Sequence, residues 1–194
     1  MRQNGDLLGT FGSFGTGNGQ FNTPWGIAID SSNRVYVTEN GPRIQVFARD
    51  GRYIRQFGSR GDGPGQFSLL YGIAIDRNDH IFTSDPIHQK IIKFDRNGRY
   101  ITSWGGVSGS GEGQFSVPRN IAIDSLNRIF VVDKFNNRVQ VFDEHGNFLM
   151  KFGSYGTGKG QFNSPDGIAI DSFDTIYVAD TENHRVQVFS NLIK

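Results

Sequence analysis

The stretch GQFNTPWGIAID at Gly19–Asp30 returns three more times. It reads GQFSLLYGIAID at Gly65–Asp76, GQFSVPRNIAID at Gly113–Asp124 and GQFNSPDGIAID at Gly160–Asp171. The register advances by 46, 48 and 47 residues, so nearly all of the 194 residues belong to one repeated unit. A unit repeated at such a period buries its apolar face only against its neighbours. The chain therefore reads as a single domain, 1–194, with repeats starting near Gly19, Gly65, Gly113 and Gly160. Positions on which the copies agree serve the architecture. Positions on which they differ are where function is to be sought.

The third copy shows the unit most clearly. Asn120–Asp124 (NIAID), Arg128–Asp133 (RIFVVD), Arg138–Asp143 (RVQVFD) and Asn147–Gly153 (NFLMKFG) are short runs rich in β-branched and aromatic residues. Between them stand SLN, KFNN and EHG, which carry turn chemistry. No long segment has helical periodicity, so the reading is all-β, with four meandering antiparallel strands per repeat. Four such strands at this period make a propeller blade. Ala28, Ala74, Ala122 and Ala169 suit the crowded inner strand, while the polar RYIRQF at Arg52–Phe57 suits the outer edge. Of the 17 Phe, 13 recur at four repeated places, which makes them packing residues.

The seams predict closure. The last copy stops after its third strand, Arg185–Phe189, yet Asn4–Ser13 (NGDLLGTFGS) matches the outer-strand segment His145–Ser154 (HGNFLMKFGS). The expectation is a β-propeller of four four-stranded antiparallel blades, closed by the N-terminal strand 7–12 pairing with 185–189. A closed ring makes a monomer. The rival is an open arc that shares blades with another chain as a homo-oligomer.

The consensus F-G-S-x-G-x-G-x-G-Q-F-x-x-P-x-G-I-A-I-D, followed by R-I-Y-V-x-D-x-x-N-x-R-V-Q-V-F, resembles the NHL repeat family. The fourth copy carries it best, in GQFNSPDGIAID and in IYVADTENHRVQVF at Ile176–Phe189. The resemblance covers residues 7–189 and implies a propeller, commonly six-bladed in that family, whereas four repeats stand here. It also implies a binding platform in most members, RNA recognition in some and zinc-dependent lyase chemistry in others.

Four sets of residues are candidates or decoys. Trp25, Tyr71, Arg119 and Asp166 occupy the variable place just before the inner strand, as a ligand face would; their architectural alternative is lid packing over the channel. Arg43, Lys90, Arg138 and Arg185 open the third strands, each shortly after an acid (Glu39, Asp85, Asp133, Asp180). They read first as bolts between blades and second as a cationic ligand ring. The glycine-rich connectors, such as Gly58–Phe67, lead into a strand and lack the Lys-Ser/Thr of a phosphate loop, so their glycines serve the crossing and Phe21, Phe67, Phe115 and Phe162 plug between blades. Asp30, Asp76, Asp124 and Asp171 read as turn caps rather than calcium ligands.

His80, His88, His145 and His184 do not share one structural level, there is no Cys, and no catalytic triad is suggested by the repeats. The reading is therefore a non-enzymatic scaffold with no catalytic residue, metal or cofactor. Its expected partner is a protein or peptide, with single-stranded or stem-loop RNA as the alternative. An engineered or truncated propeller fragment assembling through shared blades is a second alternative. The formal net charge of +1 gives no bulk pull toward nucleic acid. No apolar run is long enough for a membrane helix, so no membrane partner is expected.

Overall fold

The computed structural model describes residues 7–190, and Asn4–Asp6 of the expected closing strand lie outside them. Blade 1 holds β1 (Pro24–Ile29), β2 (Val35–Glu39), β3 (Ile44–Phe47) and β4 (Tyr53–Phe57). The connector to blade 2 carries the two-residue strands β5 (Ser59–Arg60) and β6 (Gln66–Phe67), which pair in parallel. Blade 2 is β7 (Ile73–Ile75), β8 (Ile81–Asp85), β9 (Lys90–Phe94) and β10 (Tyr100–Gly105). Blade 3 is β11 (Pro118–Ile123), β12 (Ile129–Asp133), β13 (Arg138–Phe142) and β14 (Phe148–Phe152). Blade 4 is β15 (Ile168–Ile170), β16 (Ile176–Asp180) and β17 (Arg185–Phe189). Every blade is an antiparallel meander, and the inner strands β1, β7, β11 and β15 touch in that order. The all-β propeller of four blades is as expected. Among the described residues no helix is long and apolar enough to cross a membrane.

Register explains the recurrent alanines. Ala28 faces Tyr36, Ala74 faces Phe82, Ala122 faces Phe130 and Ala169 faces Tyr177. A small side chain on the inner strand leaves room for the ring on the second strand, which lies on the same face of the sheet. The inner turn is capped as expected: Asp124 Oδ1 accepts the N–H of Leu126 and of Arg128, both at 2.9 Å. The third turn residue is Asn33, Asp79, Asn127 or Asp174, with φ near +60°, a conformation these short polar side chains tolerate. Asp79 also takes the N–H and hydroxyl of Ser31 from blade 1, and Asp174 those of Ser125 from blade 3. Between blades 2 and 3 the equivalent pair is Arg77 and Asn127; Asn127 Oδ1 is buried there without a partner.

Three apolar cores join the four blades. Tyr36, Ile44 and Val46 of blade 1 meet Phe67, Ile73, Ile81 and Phe94 around blade 2. Phe82 and Ile91 meet Phe115, Ile121, Ile129 and Phe142, and Phe130, Val139 and Val141 meet Phe162, Ile176 and Val178. Phe67, Phe115 and Phe162 are fully buried plugs, as the connector pattern predicts. Phe21 is only half-buried, since it precedes the first blade. The connector wraps its own Gln: Gln66 Oε1 accepts Gly63 N–H at 3.0 Å, and a Cβ on Gly61 would fall 2.4 Å from that oxygen at φ +148°.

The seam differs from expectation. Blade 4 is three-stranded among the described residues, and residues 7–12 form no ladder with β17. Phe11 packs instead on Phe47 of blade 1 at 4.9 Å, with Leu7 and Leu8 exposed. The segment is anchored by its own blade's aromatic cluster rather than by the far end of the chain, so the described blades form an arc.

Candidate ligand-binding mouth

The variable residues stand where each connector enters its inner strand, and close backbone approach brings them together. A Cβ on Gly26 would lie 2.6 Å from Tyr71 O, and one on Gly72 would lie 2.6 Å from Arg119 O. Only glycine allows the next blade's chain to come so near. Hydroxyls on the second strands fix the same carbonyls: Thr38 Oγ1 donates to Tyr71 O at 2.9 Å and Ser84 Oγ to Arg119 O at 2.6 Å. Blades 1 and 2 thereby position the variable residues of the blades that follow them, Tyr71 and Arg119.

The result is one chain of contacts across all four blades. Trp25 stacks on Tyr71 with centroids 5.1 Å apart and planes tilted by 34°. The Arg119 guanidinium lies 4.2 Å above the Tyr71 ring. Tyr71 donates its hydroxyl to Asp166 Oδ2 at 3.0 Å, and Arg119 Nε stands 3.5 Å from Asp166 Oδ1. Lys134 Nζ reaches the same oxygen at 3.4 Å. Burial, and then the bond to Asp166, push the Tyr71 hydroxyl above its ordinary range, so it remains a proton donor. Trp25 is 48% exposed at one end of this chain of contacts, against Tyr71. An aromatic surface held by a cation–π contact and an ion pair can anchor a planar or apolar group. Lys134 was missed from sequence because KFNN reads as an ordinary turn.

Arg43, Lys90, Arg138 and Arg185 are placed differently. Arg138 Nε holds Asp133 at 2.8 Å, while its other nitrogens donate to the carbonyls of Ser110, Gly111 and Gln114. Arg43 and Arg185 do the same with Glu39 and Asp180 and with their own connectors. Lys90 donates to Gln66 O at 3.1 Å. Their donors face the chain's own carbonyls, clamping each connector to the blade it enters. Burial raises the Asp133 carboxyl above its ordinary value. Asp180 is less strongly desolvated, and bonds from Asn163, Asn183, Arg185 and Gln187 hold its carboxyl below the ordinary value.

Two histidine groupings arise only in three dimensions. His88 stands where blades 3 and 4 have Asn136 and Asn183, and its Nδ1 meets Asp85 Oδ2 at 2.7 Å while Nε2 lies 3.3 Å from Ser68 Oγ. That sequence of groups resembles a nucleophile, base and acid. However, Asp62 Oδ1 sits closer to Nε2, at 2.7 Å, so both ring nitrogens face carboxylates and neither is free to accept the serine proton. Asp76, His80 and Glu144 bring ligand-type atoms within 4.8 Å of one another. There His80 Nδ1 already bonds Asp76 at 2.9 Å, and Lys93 Nζ stands 4.0 Å from Glu144 Oε2.

Meandering antiparallel blades whose inner strands touch in order define a β-propeller. The chain belongs to the family described as a 6-bladed β-propeller, whose pattern matches residues 11–104 and 110–191. Its repeats are of the NHL type. It is 44% identical over 46 residues to the protein lin-41 of Caenorhabditis elegans and 43% identical over 44 residues to the protein brain tumor of Drosophila melanogaster. These matches cover 23% and 22% of this chain and 4% of each of those proteins. A solved streptogramin B lyase superposes with a TM-score of 0.67 at 16% identity, over 88% of this chain and 52% of that one. That likeness establishes the fold alone. The chain spans about half of that structure and a small part of the two curated relatives.

Proposed function

We propose that this propeller is a non-catalytic binding scaffold that receives a protein or peptide at the mouth, with Trp25 as the exposed anchor. The observation that carries this reading is that the four positions where the repeats disagree meet in the continuous Trp25–Tyr71–Arg119–Asp166 contact. Aromatic and Arg side chains on a rigid frame are the usual anchors of interfaces, and variable loops on a fixed scaffold are where binding concentrates. The clamping role of Arg43, Lys90, Arg138 and Arg185 leaves the mouth as the ligand face.

RNA is the second reading, favoured by the exposed Trp25 and by the Arg119 guanidinium over Tyr71 in the same chain of contacts, aromatic and cationic groups of the kind on which bases stack. A peptide array probed with wild-type and Trp25→Ala protein tests the first reading. Captured peptides are expected to lose affinity by about tenfold or more in the variant, with melting unchanged. Peptide binding indifferent to both Trp25→Ala and Arg119→Ala would overturn it. Affinity for a U-rich oligonucleotide that falls steeply with salt would move the assignment to RNA.

A further inference from the structure

The connector that enters blade 2 is held differently from the other three, and the repeat supplies the comparison. In blade 3 Arg138 donates to the carbonyls of Ser110, Gly111 and Gln114. Gln140 donates to Gln114 O and accepts the N–H of Gly113, and Asn136 donates to Gly109 O. Arg185, Gln187 and Asn183 repeat all of this in blade 4. Blade 1 keeps the Arg and the Gln, as Arg43 and Gln45. Blade 2 has Lys90, Ile92 and His88 at the three places. Lys90 Nζ reaches Gln66 O at 3.1 Å, and among the described residues no side chain donates to the carbonyls of Gly61, Asp62 or Gly63.

An ion pair takes the place of those bonds. Asp62 stands in the connector where the other copies have Thr16, Ser110 and Thr157, and its Oδ1 lies 2.7 Å from His88 Nε2. His88 Nδ1 lies 2.7 Å from Oδ2 of the buried Asp85. A carboxylate only accepts, so both contacts hold together only while the ring carries a proton on each nitrogen. Neutral imidazole keeps one N–H. The buried Asp85 carboxylate retains it on Nδ1, and Nε2 then turns a lone pair toward Asp62. Ser68 Oγ, 3.3 Å from Nε2, is placed to donate to that lone pair instead. Among the described residues the charged groups about the ring are Asp85 of β8 and Asp62 of the connector, with Lys90 of β9 lining the same groove.

We propose that His88 is a proton-operated latch on this connector. The imidazolium holds Asp62, and residues 60–66 with it, against blade 2, and loss of the proton releases them. The contact is complete below the imidazole's titration and is lost as pH rises through it, between about pH 5 and about pH 8. Release leaves no buried charge unpaired, because the Asp62 side chain is 89% exposed and Asp85 keeps its Nδ1 donor. The released segment retains its own form, since Gln66 Oε1 still accepts the Gly63 N–H, and the buried Phe67 fixes its downstream end. Beside it lies an open groove of about 560 Å³ whose walls include Asp62, Ile87, His88, Lys90 and Ser103. That groove widens as the connector leaves the blade.

Amide hydrogen exchange of the 194-residue chain, followed from about pH 5 to about pH 8, tests this with the other connectors as references. The N–H groups of Gly61 and Gln66 donate to Phe67 O and Gly63 O, and those of Gly109, Gln114, Gly156 and Gln161 make the same bonds in their own connectors. Taking the first pair relative to the others removes the intrinsic effect of pH on exchange. That ratio is expected to rise about threefold across the range in the wild type, the scale of one partly exposed ion pair. His88→Asn installs the residue of blades 3 and 4, whose carboxamide donates at every pH, and should keep the ratio low and constant. Asp62→Ser installs the residue of blade 3 and should leave the ratio high at both ends of the range. A wild-type ratio that does not change with pH overturns the proposal, as does a rise that persists in His88→Asn.

Discussion

Asp79 and Asp174 each reach back to a serine one blade earlier, and both carboxyls are held below the ordinary value of 3.8. The main cause is the Ser31 backbone N–H for Asp79 and the Ser125 hydroxyl for Asp174. A depressed carboxyl gives stability that is complete above its unfolded value and lost as pH falls through the lower folded value. Melting temperature is therefore expected to fall below pH 3.8, and less steeply in the Asp79→Asn, Asp174→Asn double variant. Asp133 runs the other way, because burial raises it and acidification relieves its desolvation. Arg138 and Asp133 form a buried pair, so Arg138→Ala should destabilise by about 3–5 kcal/mol in a denaturant titration. Arg185→Ala, at a more exposed copy, should lose less. The repeats marked Trp25, Tyr71, Arg119 and Asp166 as variable. They did not reveal the mutual contacts, which join residues 46 to 95 positions apart.

At the scale of elements, the strands, the turn caps and the Phe plugs were legible because each depends on neighbours within one repeat or on its recurrence. The blade-to-blade serine latches were not, since Ser31 and Asp79 belong to different turns and each alone reads as turn chemistry. The mouth glycines serve close approach of one inner strand to the next. Gly72→Ala would drive its Cβ against Arg119 O and Asn120 Cα, both backbone atoms. The expected loss is about 1–3 kcal/mol, the usual range for overpacking. Quenching of Trp25 fluorescence should change as Tyr71 shifts, and unchanged melting in this variant would contradict the junction geometry.

Across the whole molecule, stability is the sum of blades and the junctions between them. Blades 2 and 3 are covered on both faces, whereas blades 1 and 4 are each covered on one. Amide hydrogen exchange should be slowest in β8, β9, β12 and β13 and faster in β1 and β17. Uniform protection in the monomer would mean that the ends are already covered. The sequence by itself determined the blade, its four-fold recurrence and the variable place at each inner-strand entry, because strand period and turn chemistry act over a few residues. Tertiary structure alone decided that residues 7–12 stay on blade 1, that the variable residues form one contact, and that both end faces lie open. Those outcomes depend on how neighbouring blades are set against one another, which no single repeat encodes.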